Sequence, residues 1–289
     1  MIYCEVGTQY RGALRRADTS NGEAATEFYG RKALVTPDGR TALSLVLEAL
    51  RLGPADEVYV TSTFGTHYVS SCVTSTIFNY CRPSKVWTEA TRAALVIHEF
   101  GVPHPQLLPL KERSREARIP LIENCAHSMS SRLSGRYLGL FGDFAIFTFR
   151  KQLLLPCGGL LLGETEGIIY QPSASQQRAS AAIEGCLTAE LANLTSYEEQ
   201  RSANFFRLSQ LVAQHGYAPY FKLVDGVVPY AFPFLAPSRD VQEALISQLR
   251  ERGIESFGWR GGHIVVVPVH QILREDYFKL VEETLDEKS

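Results

Sequence analysis

A chain of 289 residues, 45% hydrophobic and 21% charged, is long enough to bury an ample core as one large domain with a smaller one beside it. That balance excludes a disordered or fibrous protein, and a net charge of -2 lacks the basic excess of a nucleic-acid binder. No apolar run is long enough to span a bilayer, and Met1 to Glu23 lacks the charged-then-apolar layout of a secretory signal, so a cytoplasmic protein is expected.

In chain order, Lys32 to Thr36 is a short apolar strand, broken by Pro37-Asp38-Gly39-Arg40. Leu43, Val46, Leu47 and Leu50 then recur at helical spacing, predicting a helix over Thr41 to Leu52. After the Gly53-Pro54-Ala55-Asp56 turn come a strand at Glu57 to Val60, a helix at Thr66 to Thr74 and a strand at Thr76 to Tyr80. Ala93 to His98 is a strongly apolar strand, and Pro105 to Ala117 a charged surface helix. The apolar runs Ile119 to Ile122 and Phe144 to Phe149 complete an alternation of strand and helix, the pattern of a mostly parallel sheet with helices on both faces.

Past Gly163 the pattern changes. Ala179 to Val212 reads as one or two helices with Leu187, Leu191, Leu194, Phe205, Leu208 and Leu211 on the apolar side. Strand (Val227 to Leu235), helix (Val241 to Arg252), strand (His263 to Val267) and helix (Arg274 to Leu285) follow, as in a small separate α+β domain. The expected division is a large α/β/α domain over 1–208 and a small α+β domain over 209–289, the boundary falling between Ser202 and Tyr217.

The chemistry concentrates between Arg118 and Gly163. Two apolar runs there end abruptly in polar residues, Glu123-Asn124-Cys125-Ala126-His127 and Arg150-Lys151, as a ligand site does at the carboxyl edge of a parallel sheet. Lys151, before the Pro156-Cys157-Gly158-Gly159 turn, is placed to meet a carbonyl group. The six cysteines, Cys4, Cys72, Cys81, Cys125, Cys157 and Cys186, form no C-x-x-C pair and are expected as reduced thiols; Cys125 and Cys157 fall in this stretch, where a small core residue is the commoner fate than a nucleophile.

Taken together, Gly39-Arg40-Thr41-Ala42-Leu43, Ala55-Asp56-Glu57-Val58, His98-Glu99-Phe100-Gly101, Glu123-Asn124-Cys125-Ala126-His127, Gly142-Asp143, Phe147-Thr148-Phe149, Lys151 and Gly158-Gly159 stand in one order. In that order they resemble the DegT/DnrJ/EryC1/StrS family of pyridoxal-phosphate-dependent aminotransferases, which have the aspartate-aminotransferase fold (fold type I). The resemblance covers Phe28 to Gly163 well and the rest only loosely, through Val267-Pro268-Val269-His270. It implies pyridoxal 5'-phosphate as cofactor, a small-molecule amino donor and keto acceptor, a homodimer, and neither nucleic acid nor membrane as partner.

The resemblance also assigns roles. Lys151 matches the lysine that forms a Schiff base with the cofactor aldehyde and then moves the proton between substrate and cofactor carbons. Gly39, Arg40 and Thr41 open the helix whose start would receive the phosphate, with Thr148 where the family often has a serine. Phe64 or His67 would stack on the pyridine ring, and His127 would sit near the ring oxygen. Asn124 stands where the family has the aspartate that keeps the ring nitrogen protonated, and an amide can bond that nitrogen without supplying charge. This leaves a slow or specialised aminotransferase, a different reaction of the same cofactor, or a non-catalytic binding or partner subunit. The chain is also shorter than most of the family, and the partner-subunit Asn-x-Arg motif is not evident in Ser180 to Leu194. Trp259-Arg260 offers either a stacking surface with an anion clamp or an ordinary turn with a solvated arginine.

Rival classes lack their signatures: no Gly-x-Gly-x-x-Gly after a strand, no Walker loop, no His-Glu-x-x-His and no Gly-x-Ser-x-Gly elbow.

Overall fold

The structure is a computed structural model that describes residues 22–66, 69–164, 168–259 and 261–287. Its larger sheet is built from β1 (Ala33–Thr36), β2 (Glu57–Ser62), β3 (Arg82–Ser84), β4 (Thr91–Ile97), β5 (Leu121–Asn124), β8 (Phe144–Thr148) and β9 (Gly159–Gly163). The small hairpin of β6 (Arg132–Leu133) and β7 (Arg136–Tyr137) lies outside it. Strand order is β1-β9-β8-β5-β4-β2-β3; β8, β5, β4, β2 and β3 run parallel, and β9 is antiparallel to both of its neighbours.

Both faces of this sheet are covered, which is why β4, β8 and β9 carry continuous buried apolar runs, whereas β2 and β3 toward the far edge do not. The helices are α1 (Glu23–Tyr29), α2 (Gly39–Ala49), α3 (Ser71–Phe78), α4 (Leu107–Ala117) and α5 (Ala174–Ala192). On β4, Ala94 and Val96 pack with Leu107, Leu110, Ile183 and Leu187 from α4 and α5, while Ala93 and Leu95 pack with Leu43, Val46, Val73 and Ile77 from α2 and α3. The two-residue period of a strand thus feeds two separate cores and makes three layers, α/β/α.

The stretch from Ser71 to Ser84 departs from the expected elements. Ser71–Phe78 is helical, so the strand expected from Thr76 is absent, and the edge strand comes later at Arg82–Ser84. The β-branched run suggested a strand, but Val73, Thr76 and Ile77 are buried at helical spacing. The hydroxyls of Ser75 and Thr76 donate back to the carbonyls of Ser71 and Cys72, so they follow the helix rather than oppose it.

The second sheet is antiparallel, in the order β10 (Ala218–Pro219), β11 (Ala231–Leu235), β13 (Ile264–Pro268), β12 (Phe257–Trp259). One face carries α6 (Leu194–Gln214), α7 (Arg239–Glu251) and α8 (Glu275–Asp286) over Phe205, Leu208, Phe232, Phe234, Leu249, Val267 and Phe278. The other face presents Ala231, Ile264 and Val266 to Phe100, which projects from the turn after β4 and is fully buried. That turn, Glu99–Gly101, joins the halves: Phe100 holds φ 55, Gly101 holds φ 91, and Tyr230 N–H donates to the Phe100 carbonyl. A Cβ on Gly101 would lie 2.0 Å from the Val228 carbonyl oxygen, so only glycine lets the second half approach this closely.

Candidate functional site

At the carboxyl ends of the parallel strands, the ends of β4, β5 and β8 and the start of α2 enclose a cavity of about 500 Å3. Gly39, Arg40, Asn124, His127, Thr148 and Lys151 all line it, although they are scattered over more than a hundred positions of sequence.

Lys151 ends a short 3-10 turn, Phe149–Lys151, that closes β8. Its Nζ lies 3.0 Å from His127 Nε2 and 5.5 Å from the centroid of the Tyr230 ring. Burial, and next the Arg150 charge, bring its pKa down to about 8, because an ammonium loses solvation there and has a cation beside it. Burial and then the Lys151 charge push His127 well below its usual range, which keeps its imidazole neutral. The Phe100 N–H donates to His127 Nδ1 at 3.4 Å. A neutral ring accepting there carries its proton on Nε2, facing Lys151, and satisfying both contacts requires Lys151 to be a free amine that accepts. His127 is fixed from the side by Tyr230, whose ring lies parallel to it with centroids 4.1 Å apart.

Two supports behind this pair were missed by sequence reasoning. Arg201 on α6 is 2% exposed and bonds the carbonyls of Lys151 (3.0 Å), Pro229 and Tyr230 and the side-chain oxygen of Gln271. It ties the turn that carries Lys151 to the segment that carries Tyr230. Its signal was present, since Arg201 and Asn204 extend the buried stripe of Phe205, Leu208 and Leu211 backwards by one turn. Tyr230 had no local signal; only tertiary packing brings it to His127.

Asn124 ends β5, with its Oδ1 accepting from Ala126 N–H at 3.1 Å. Its neighbour Glu123 points into the scaffold, where its two oxygens accept N–H groups from Gly139, Phe141 and Gly142 and the Nε2 of His98 lies 3.1 Å away. Burial by itself would raise the Glu123 carboxyl, but the His98 bond and charge and the backbone donors outweigh it and hold the group low. His98 in turn accepts the His104 N–H at Nδ1, so both of its ring nitrogens serve the scaffold. His98, Glu123 and Cys125 lie close enough to bracket a metal ion, yet these bonds already occupy His98 and Glu123.

Gly39 begins α2 against Thr148; a Cβ there would sit 2.5 Å from Thr148 Oγ1, so the glycine makes the cradle between helix start and strand end possible. Thr41 and Phe64 do not join the cavity lining. Thr41 gives its N–H and its hydroxyl to Asp38 Oδ1, at 2.8 and 3.0 Å, because Asp38 is the cap of α2. Phe64 packs instead with Tyr220, Phe221 and Phe100 between the two halves, its N–H bound to Glu99. The alternative stacking residue, His67, and Arg260 lie outside the described residues. Trp259 lines the cavity and packs on Phe100 at 4.7 Å. Cys157 is exposed on the cavity wall, whereas Cys125 is buried and its thiol pushed up by burial and the Glu123 charge, against nucleophilic use.

Residues 82–169 match the sequence profile of the DegT/DnrJ/EryC1/StrS aminotransferase family. The L-glutamine:scyllo-inosose aminotransferase of Streptomyces griseus is 29% identical over 163 residues, which is 50% of this chain and 38% of that protein. The chain thus spans about two fifths of the length of this protein and of the GDP-perosamine synthase of Escherichia coli O157:H7, which it also matches. An aminotransferase from Streptoalloteichus hindustanus superposes with a TM-score of 0.77 at 19% identity, over 99% of this chain and 95% of that one. The Streptococcus pneumoniae protein Spr1654, in its PLP-form, gives 0.76 at 15% identity, over 98% and 94%. The described residues contain no helix long and apolar enough to cross a membrane. With the motifs in the same order along the chain and the same fold, the chain is similar to the DegT/DnrJ/EryC1/StrS aminotransferase family over residues 82–169 and has the fold of these aminotransferases over nearly its whole length.

Proposed function

We propose that the protein is a pyridoxal-5'-phosphate-dependent aminotransferase acting on a keto sugar or a similar small carbonyl compound. The observation that carries this reading is the Lys151 amine, lowered to a pKa of about 8 inside a cavity at the sheet edge and aimed at His127. The residues present fit the cofactor. A cradle that a Cβ on Gly39 would fill opens at the start of α2, with the Thr148 hydroxyl beside it. Lys151 would hold the cofactor through its aldehyde, Gly39, Arg40 and Thr148 its phosphate, Asn124 its ring nitrogen and His127 its ring oxygen.

When bound, the cofactor supplies an electron sink for the substrate carbon. Lys151, freed by the incoming amine, is the base placed to carry a proton across the cavity. His127 Nε2–H would hold an oxygen in place while Tyr230 keeps the imidazole plane fixed. Asn124 would donate its amide to a ring nitrogen that bears no proton, since its Oδ1 is already engaged with Ala126 N–H.

That same amide favours a second reading, in which the site binds the cofactor but turns over slowly or not at all, as a binding or partner subunit would. The family architecture also goes with a homodimer, checked by the mass in solution. The chain is divided at about residue 208 into a cofactor-binding part and a small part, and Phe205 and Leu208 already share the core of the small sheet.

Mixing the protein with pyridoxal phosphate is expected to give a yellow, borohydride-reducible adduct on Lys151 that disappears in Lys151→Ala. No adduct, or one that persists in the variant, sinks the reading.

A further inference from the structure

Asp38 stands at the point where the phosphate would be received. It lines the cavity, and its Oδ1 accepts both the Thr41 N–H at 2.8 Å and the Thr41 hydroxyl at 3.0 Å. A helix start attracts anions because its first N–H groups lack partners within the helix. At α2 one of those groups is already bound to a carboxylate that belongs to the chain itself. The rest of the cradle, the first N–H groups of α2 at Gly39 and Arg40 and the hydroxyl of Thr148, lies immediately beside that negative charge. Arg40 and Arg150, exposed residues that line the same cavity, are cations placed to meet an incoming phosphate.

We propose that Asp38 is a specificity-determining residue of the cofactor subsite: it occupies part of the helix start and weakens the hold on phosphate, so the site discriminates little between phosphorylated and unphosphorylated pyridoxal. The inference rests on the cofactor reading above. Affinity for the phosphorylated form is left to Arg40, Thr148 and the remaining N–H groups, while the aldehyde end is held by Lys151 in either case.

The test uses Asp38→Asn and Asp38→Ser, because both residues cap helices well and preserve α2. Pyridoxal 5'-phosphate and pyridoxal are each titrated into the full chain and binding is read from the absorbance of the Lys151 adduct. Removing one negative charge a few ångströms from a phosphate is expected to tighten pyridoxal 5'-phosphate roughly tenfold, even with full solvent screening. Pyridoxal should bind as before. If both aldehydes bind and the variants shift both alike, or neither, Asp38 does not read the phosphate and the inference is overturned while the cofactor reading stands. If neither aldehyde forms an adduct in any of the proteins, the cofactor reading falls and the inference falls with it.

Discussion

Lys151 and His127 constrain each other through one proton. With Phe100 N–H on Nδ1, the imidazole can only donate toward Lys151, and an ammonium there would place two donors face to face. A pKa of about 8 makes the amine, rather than the ammonium, accessible near neutrality. The rate of adduct formation with pyridoxal should therefore climb about tenfold per pH unit on the acid side and level off above pH 8. A profile still rising at pH 10 would show an ordinary lysine. Stability has a linked sign. The unfolded chain holds this proton up to the ordinary value of 10.5, so the burden of the buried ammonium is present in full below about 8 and lifts as pH rises between the two values. Asn124 makes the second residue-scale prediction. Asn124→Asp restores a charge at the ring nitrogen, and a handicapped transaminase should gain at least about tenfold in half-reaction rate with a keto sugar phosphate or nucleotide. An unchanged or lower rate in a variant that still forms its adduct would favour the second reading. Both residues were legible in sequence because each ends an apolar strand with a polar group. Thr41 and Phe64 do not line the cavity, for reasons that sequence order does not carry: one is engaged with the helix cap, the other with an aromatic cluster assembled from distant segments.

At the scale of elements, the site depends on α6 as much as on the sheet. Periodicity showed the helix, but its apolar list passed from Leu194 straight to Phe205; the polar residues Arg201 and Asn204 on the same stripe were passed over because polar groups suggest solvent. In the structure they face inward and hold backbone. Arg201 spans the carbonyls of Lys151 and Tyr230, and the Asn204 amide bonds those of Val269 and His270. Arg201→Met would leave buried carbonyls without donors, at about 3 kcal/mol in thermal or denaturant unfolding. The more telling effect is on the lysine. Capture of pyridoxal should slow roughly ten- to a hundredfold at a temperature where the variant is fully folded, because the turn bearing Lys151 loses its anchor. Arg201→Lys, which keeps one donor and the charge, should recover part of that rate. A Met variant that is unstable yet captures pyridoxal at the normal rate would reduce Arg201 to a structural role. Strand assignments succeeded where burial on both faces made continuous apolar runs. They failed at Thr76, where β-branched residues follow a helical stripe and back-bond to the preceding turn.

Across the whole molecule, the site belongs to neither sheet alone: Lys151 and Asn124 come from the larger, Trp259 from the smaller, and Tyr230 from the segment entering it. The turn Glu99–Gly101 is where the two meet, with Phe100 buried between them and its carbonyl bound to Tyr230 N–H. The halves should therefore unfold together, and the chain's two tryptophans can report on each. Trp87 packs on Tyr59 of the larger sheet, under Arg113, while Trp259 packs on Phe100 from the smaller one. Trp87→Phe and Trp259→Phe proteins, each with one remaining tryptophan excited selectively, should give coincident denaturant transitions. Gly101→Ala attacks the joint itself, since its φ of 91 disfavours any side chain and the new Cβ would meet the Val228 carbonyl at 2.0 Å. The cost should be on the order of 3 kcal/mol. It should also fall unevenly: the smaller half, tied to the rest through Phe100 and Arg201, should melt before the larger, so that the two fluorescence transitions separate. Transitions that are already separate in the unaltered chain, or that stay superposed in Gly101→Ala, would show that the turn does not couple the halves and that the cavity between them is held by other contacts.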